Sequence, residues 1–129
     1  MRYFIAFTLL AGGVIHLLPV AGVLGTERLF ALYGVLVSEP NLVILLRHRA
    51  VMFGLIGGVM ILSIFKPAIQ PLAFAVGLLS VTSFLYIASS VGQYNPQVSR
   101  VVVADIMALV CLLAGSAAYA YAYAHQRQP

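Results

Sequence analysis

Four long runs of apolar residues, joined by short polar connections, make up most of this chain. A helix needs about 20 apolar residues to cross the hydrocarbon core of a bilayer, and each run is long enough. The connections contain proline, glycine and asparagine, which favour turns. The pattern therefore predicts an all-α fold, a polytopic membrane protein whose single domain, 1–129, is an antiparallel four-transmembrane-helix bundle. The predicted spans are about 3–24, 42–65, 71–91 and 98–124.

The connection between the first two spans is longer than the others and contains a short apolar segment, 27–37. This segment is too short to cross a bilayer, so it predicts a short interfacial helix in the first loop. Asn41 follows as the predicted N-cap of the second span, because its side chain can accept hydrogen bonds from free amides. Within the first span, Pro19 lacks a backbone donor and predicts a kink beside His16.

Arg2 followed by an apolar run also resembles a secretory signal peptide. The run is longer than the apolar part of most signal peptides, and a histidine near its end is unusual there. We therefore expect this segment to remain as the first span, with cleavage as the alternative.

The composition agrees with a membrane location. Of the residues, 63% are hydrophobic and 8% are charged, against about 25% charged in soluble domains. The net charge of +4 comes without a basic face or run, so contact with anionic headgroups of the lipid bilayer explains it better than nucleic acid does. The single cysteine, Cys111, provides neither an intrachain disulfide nor a thiolate metal site.

The positively charged residues near the ends of the spans predict an orientation. Arg2, Lys66 and Arg127 fall on one side of the predicted membrane. Arg28 and Arg100 fall on the other. Because positive residues are commoner on the cytoplasmic side, both termini are predicted to be cytoplasmic.

Polar residues from all four predicted spans fall at one depth. The second and fourth spans start from the same membrane face, which places the triplet Arg47-His48-Arg49 and Asp105 roughly 10 Å inside it, at about 1.5 Å per residue. His16 lies at a similar depth near the end of the first span, and Tyr86 belongs to the polar last turns of the third. An arginine inside a membrane costs about 2.5–3.5 kcal/mol on insertion scales, so it usually faces a partner or a wet cavity.

The 100° step of a helix predicts which arginine faces inward. Arg47 falls within about 20° of Gly54 and Gly58, and these two glycines form a small-residue stripe of the kind that lets membrane helices approach. Arg47 is therefore predicted to point into the bundle and to pair with Asp105. Arg49 lies about 200° away and is predicted to reach for the lipid headgroups.

The polar residues at this common depth predict a partly hydrated pocket. Its candidate ligand-binding residues are His16, Arg47, His48, Tyr86 and Asp105. The alternative is a structural clasp, an ion pair that fixes the helix register and binds nothing, since an unpaired buried charge is strongly destabilising. The histidines and the aspartate lack a short ligand spacing such as His at i and i+4, so no metal site is predicted. No catalytic residue is assigned, and the cofactor is left unknown.

The layout resembles the small bacterial four-helix membrane proteins of the DoxX-like group. The features that carry the resemblance are Leu32-Tyr33-Gly34, Asn41-Leu42, and Arg47 with Gly54 and Gly57-Gly58. The resemblance implies four spans in a bacterial inner membrane. Some members of that group are tied to thiol redox or quinone-linked membrane complexes, and the lone Cys111 does not match a redox thiol pair.

Chains with this pattern are sometimes identified as phosphopantetheine adenylyltransferase, a soluble nucleotidyltransferase. That enzyme uses a His-x-Gly-His nucleotide site on an α/β sheet, whereas His16 is followed by Leu17-Leu18-Pro19. The chain also has no glycine-rich phosphate loop followed by lysine. The sequence does not support nucleotidyltransferase chemistry, and it favours a role other than an enzyme.

Three classes of function fit the pattern. The first is an accessory or scaffolding membrane protein, which associates with a second copy or with a membrane complex. The second is a binder of a quinone, a lipid headgroup or a small anion in the Arg47/Asp105 pocket. The third is a small transporter or proton-relay unit, for which intramembrane Asp, His and Arg are apt; the polar groups occupy only one half of the bundle, which ranks this class last.

Overall fold

The structure, a computed structural model, describes residues 1–126 and is all-helical over them. Arg127, which the orientation prediction uses, lies outside the described residues. Short 3₁₀ segments, Leu18–Leu24 and Pro67–Ile69, extend the first helix and precede the fourth. The helices are α1 (Arg2–Leu17), α2 (Thr26–Tyr33), α3 (Pro40–Phe65), α4 (Gln70–Val91) and α5 (Pro96–Gln126).

Within residues 1–126, four segments are long and apolar enough to cross a membrane, which confirms the predicted polytopic bundle. The helix α1 packs mainly against α3 and α5, and α4 packs against the same two helices. The core between them contains the wholly buried side chains of Leu9, Met60, Val81 and Leu112. Because the helices alternate in direction, α2 and the starts of α3 and α5 share one end of the bundle, here the α2 end. The opposite end, with Pro67–Ile69, is the hairpin end.

The predicted disturbance beside His16 is confirmed. The α-helical part of α1 ends at Leu17, and the chain continues as 3₁₀ helix with Pro19 in its first turn. Proline has no N–H to donate to the carbonyl of Ile15, and the amide of Leu18 donates to that carbonyl instead. The 3₁₀ segment connects the end of α1 to the start of α2.

The close contact between α1 and α3 depends on Gly13 and Gly57. A Cβ on Gly57 would lie 2.8 Å from the carbonyl oxygen of Gly13, too close for a real contact. Gly58 has nothing within 4 Å of the corresponding position. The predicted contact at Gly54 and Gly58 is therefore wrong for Gly58, whereas a Cβ on Gly54 would lie 3.3 Å from Val20 of the 3₁₀ segment.

The short helix α2 confirms the predicted helix in the first loop. It ends at Gly34, whose φ of 65° is left-handed and whose amide donates to the carbonyl of Phe30 at 2.7 Å. Leu29, Tyr33 and Val37 form a second buried cluster beneath it. The cluster attaches α2 to the ends of α3 and α5.

Asn95 ties the end of α2 to the start of α5. Its Nδ2 donates to the carbonyl of Tyr33 at 2.7 Å, and its Oδ1 accepts from the amide of Val98 at 2.8 Å. At the start of α3 the cap is Glu39, whose carboxylate accepts from the amides of Asn41 and Leu42. The prediction of Asn41 as the cap is wrong, because the helix starts at Pro40, two residues before the predicted start.

Candidate functional site

A cavity of about 240 Å³ lies near the α2 end, between α1, α2 and α5. Most of its lining is apolar, with Ile15, Leu32 and Phe53 among the contributing side chains. Leu18 also belongs to the lining, and its side chain is 60% exposed. The polar residues of the lining are His16, Tyr33, Gln97, Arg100 and Asp105.

The guanidinium of Arg49 is surrounded by three aromatic rings. It lies 4.8 Å from the ring centroid of Phe53, 5.1 Å from that of Tyr33 and 5.7 Å from that of Phe84. A cation close to the face of a ring is attracted by the negative potential there, by about 0.5–2 kcal/mol according to its desolvation. Because the rings come from α2, α3 and α4, Arg49 joins three helices.

Asp105 lies within electrostatic range of Arg49. Its side chain is 8% exposed and lies in the cavity wall. The positive charge of Arg49 acts on its carboxylate across the bundle. Each residue is nine positions beyond the first residue of its helix, Pro40 or Pro96, so the two lie at one depth of about 14 Å from the helix starts. The helix bounds are consistent with the predicted common depth of this pair.

His16 is buried and uses both ring nitrogens. Its Nδ1 donates to the carbonyl of Gly12 at 2.8 Å, and its Nε2 lies 3.1 Å from the hydroxyl of Ser80 on α4. A carbonyl can only accept, so the proton of the neutral ring is on Nδ1 and Nε2 accepts from Ser80. His16 is thereby fixed in one orientation beside the cavity.

The predicted roles of Arg47 and Arg49 are wrong. Arg47 is exposed on the surface of α3, and its Nε donates to the carbonyl of Val23 at 2.8 Å. The inward face of α3 contains Met60, and Arg49 lies about 20° from it at 100° per residue. On the glycine side of the helix, Arg47 and Gly54 face the 3₁₀ segment Leu18–Leu24 and Gly58 faces open space. Arg49, on the side of Phe53, is the arginine that points inward.

His48 and Tyr86 also lie away from the cavity. His48 is exposed on α3, and Tyr86 is 74% exposed on α4. Thr82, four residues before Tyr86 on α4, donates its hydroxyl to the carbonyl of Leu78 on its own helix. The structure thus brings His16 and Asp105 together and leaves Arg47, His48 and Tyr86 on the outside.

Several residues of the site were missed in the sequence. Gln97 and Arg100 lie in the first turns of α5, where the sequence indicates only a polar helix end and, for Arg100, a charge that bears on orientation. The sequence alone could have placed Phe53 beside Arg49, because it follows Arg49 by four residues and side chains at this spacing lie on one face of a helix. Phe84 and Tyr33 belong to other helices, so only the packing of the helices shows that they surround Arg49 together with Phe53. These three rings form the aromatic cage of Arg49.

The cavity offers hydrogen-bond donors and acceptors in an apolar setting. Burial raises the pKa of the Tyr33 hydroxyl, and the opposing effect of the Arg49 charge is smaller. The phenol is therefore neutral at ordinary pH. Gln97 and Arg100 provide donors, and Asp105 provides an acceptor.

No protein-family model matches this chain, and neither a curated protein nor a solved structure is significantly similar to it. What the chain does is therefore inferred from the cavity and its lining.

Proposed function

We propose that this chain is a multi-pass protein of the bacterial inner membrane that binds the ring headgroup of a membrane-dissolved small molecule, of the quinone class, in the cavity beside Asp105. The observation that carries the proposal is the cavity itself, an apolar space of about 240 Å³ with a carboxylate in its wall. Pockets that hold small molecules are mostly apolar with a few convergent polar groups.

The size of the cavity favours a single ring. Pockets for drug-sized molecules measure about 300–1,000 Å³, and this one is smaller. An entire amphiphile would not fit, but a headgroup would, with its apolar tail leaving past the exposed Leu18 into the bilayer. The ring faces would contact Ile15, Leu32 and Phe53.

The polar lining suits a headgroup that carries oxygen atoms. A hydroxyl of the ligand can donate to the carboxylate of Asp105, and a carbonyl can accept from Gln97 or Arg100. A reduced quinone carries hydroxyl groups, and an oxidised quinone carries carbonyl groups. A free small anion is a poorer match, because the Asp105 carboxylate would repel it.

The test compares the co-purified small molecules of matched variants. Ala104 is half-buried in the cavity wall on α5, so Ala104→Leu fills the space without removing Asp105 or Arg49. Ala114→Leu, on an exposed position of the same helix, is the control. We expect native mass spectrometry and organic extraction to find a bound quinone-type molecule in the wild type and the control, and to find it lost in Ala104→Leu.

A second candidate function, the accessory or scaffolding protein, is favoured by the aromatic cage of Arg49. The cage and the charge of Asp105 join α2, α3, α4 and α5, which is what a purely structural clasp would do. The same experiment separates the two candidates. A wild type that contains no small molecule, with Ala104→Leu as stable as the control, contradicts the binding proposal and favours the scaffold.

We further propose that both termini are cytoplasmic, on the basis of Arg2 and Lys66 at the hairpin end. Single cysteines introduced in a Cys111→Ser background test this. Ser38→Cys lies in the loop before α3 and Ala68→Cys in the hairpin, and both positions are exposed. A membrane-impermeant maleimide applied to intact cells should label Ser38→Cys alone; labelling of Ala68→Cys alone would reverse the orientation.

A further inference from the structure

A second cavity, of about 450 Å³, lies at the hairpin end of the bundle, remote from Asp105. It is enclosed by the start of α1, the start of α4 and the end of α5. Its apolar lining includes Ile5, Pro67 and Ala122. The polar residues of its lining are Arg2, Gln70, Tyr119 and Tyr123.

The charges of the chain are distributed unequally between the two ends. Glu27 and Glu39 belong to the loop and cap at the α2 end, and Asp105 belongs to the layer beside it. Within residues 1–126, the hairpin end has the cations Arg2 and Lys66 and no carboxylate side chain. A negative group that enters the second cavity would meet Arg2 without competition from a nearby acidic side chain.

We propose that this second cavity binds the phosphate group of an anionic molecule, with the guanidinium of Arg2 as its cationic partner. Arg2 is exposed on the cavity wall, and its planar fork of N–H groups matches the oxygens of a phosphate. The proposal is independent of the ligand proposed for the cavity beside Asp105.

The other polar residues of the lining are held by packing. Gln70 is 8% exposed, and its Nε2 donates to the carbonyl of Ser63 at 3.3 Å. The ring of Tyr119 stacks on that of Tyr123 at 6.2 Å between centroids and contacts the ring of Phe74 at 6.3 Å. The wall of the cavity is therefore preorganised, which lowers the entropy lost when a ligand binds.

The position of the cavity favours a membrane lipid over a soluble molecule as the source of the phosphate group. The cavity lies where α1 and α4 begin and α5 ends, so it is at the level of the headgroups. Basic pockets between transmembrane helices at the cytoplasmic face bind anionic lipid headgroups. Ile5, Pro67 and Ala122 can contact the glycerol and the upper acyl chains. A soluble phosphate has the same headgroup chemistry without these apolar contacts.

The experiment measures lipid retention by the full-length chain in mild detergent with native mass spectrometry. Phosphatidylglycerol and phosphatidylcholine with identical acyl chains are added separately. Arg2→Gln removes the proposed partner, and Lys66→Gln removes the same charge at the same end from a residue outside the cavity lining. We expect the wild type and Lys66→Gln to retain phosphatidylglycerol over phosphatidylcholine. Arg2→Gln should lose about fivefold in phosphatidylglycerol binding.

A second variant keeps the test independent of Arg2. Tyr119→Phe retains the ring that packs on Phe74 and removes only the hydroxyl, and it should weaken phosphatidylglycerol binding while leaving the melting temperature unchanged. Equal retention of the two lipids, or an equal loss in Arg2→Gln and Lys66→Gln, would overturn the proposal. Displacement of phosphatidylglycerol by millimolar inorganic phosphate would support the site and assign it to a soluble phosphate; failure of inorganic phosphate to compete would assign it to the lipid.

Discussion

Arg49 of α3 and Asp105 of α5 lie at the same depth in the bundle and interact across it, with Asp105 also forming part of a cavity wall. The rings of Tyr33, Phe53 and Phe84 surround the other partner, Arg49. A charged residue inside a membrane is stable only with partners of this kind. The pair therefore links the stability of the bundle to the site proposed for a ligand.

Replacing Arg49 should be far more damaging than replacing Arg47. Arg49→Gln removes the contacts of the guanidinium with three rings and the positive charge that acts on the buried carboxylate of Asp105, and we expect a loss of about 2–4 kcal/mol. Arg47→Gln loses one exposed hydrogen bond to Val23 and should cost less than about 1 kcal/mol. Thermal unfolding in mild detergent measures both.

The coupling between the two charges is measured by a double mutant. Asp105→Asn with Arg49→Gln should be more stable than the sum of the two single effects predicts, because the neutral pair leaves no unpaired charge. Strict additivity would mean that Arg49 and Asp105 are not coupled.

Two adjacent glycines on α3 should respond in opposite ways. Gly57→Ala places a methyl group against the carbonyl oxygen of Gly13, which belongs to a helix backbone and cannot turn away, so we expect a loss of about 1–3 kcal/mol from overpacking. Gly58→Ala has open space and should be neutral or stabilising by up to about 1 kcal/mol, since alanine favours helix. Equal melting temperatures for the two variants would contradict the close approach of α1 and α3.

The hydroxyl of Ser80 should contribute to stability through His16. Ser80→Ala leaves the Nε2 of the buried His16 ring without its donor, which should cost about 0.6–1.5 kcal/mol, the range for hydrogen bonds between membrane helices. Ser83→Ala is the control, because its exposed hydroxyl bonds only within α4. In the wild type, ¹⁵N chemical shifts should place the proton of the neutral His16 ring on Nδ1, and a proton on Nε2 would contradict the assigned tautomer.

The cap of α3 should make stability depend on pH in the acid range. Hydrogen bonds from the amides of Asn41 and Leu42 lower the pKa of Glu39 below its ordinary value of 4.5. A lowered pKa in the folded state means that the contribution is fully present above pH 4.5 and is lost as the pH falls through the folded-state value. Unfolding of the wild type measured from neutral to acid pH should show this loss, and Glu39→Gln should not. Parallel curves for the two proteins would rule out the cap as its source.

The sequence specified the elements of this fold closely. Long apolar runs between turn-forming residues identified the four spans, because a bilayer demands about 20 apolar residues per crossing and each predicted span lies within a segment that the structure shows as helical. Pro19 marked the change to 3₁₀ helix for a reason local to the backbone. The common depth of Arg49 and Asp105 also followed from the sequence, since it depends only on residue counts along helices.

Which arginine faces inward could not be decided in the same way. The rotation of a helix is set by what it packs against, and α3 has glycines at 54, 57 and 58 that point in different directions. The backbone of α1 at Gly13 selects Gly57, and in this rotation Arg49 meets the rings of Tyr33 and Phe84 whereas Arg47 bonds the carbonyl of Val23.

A four-span membrane bundle with buried charge at one depth could be predicted from residue order alone, because span length and depth are properties of single helices in a bilayer. The contacts between helices could not: the charge of Arg49 acts on Asp105, Arg47 bonds the carbonyl of Val23, and His16 and Asp105 border one cavity. The physical reason is that contacts between helices depend on rotation and close packing, which many different side chains determine together.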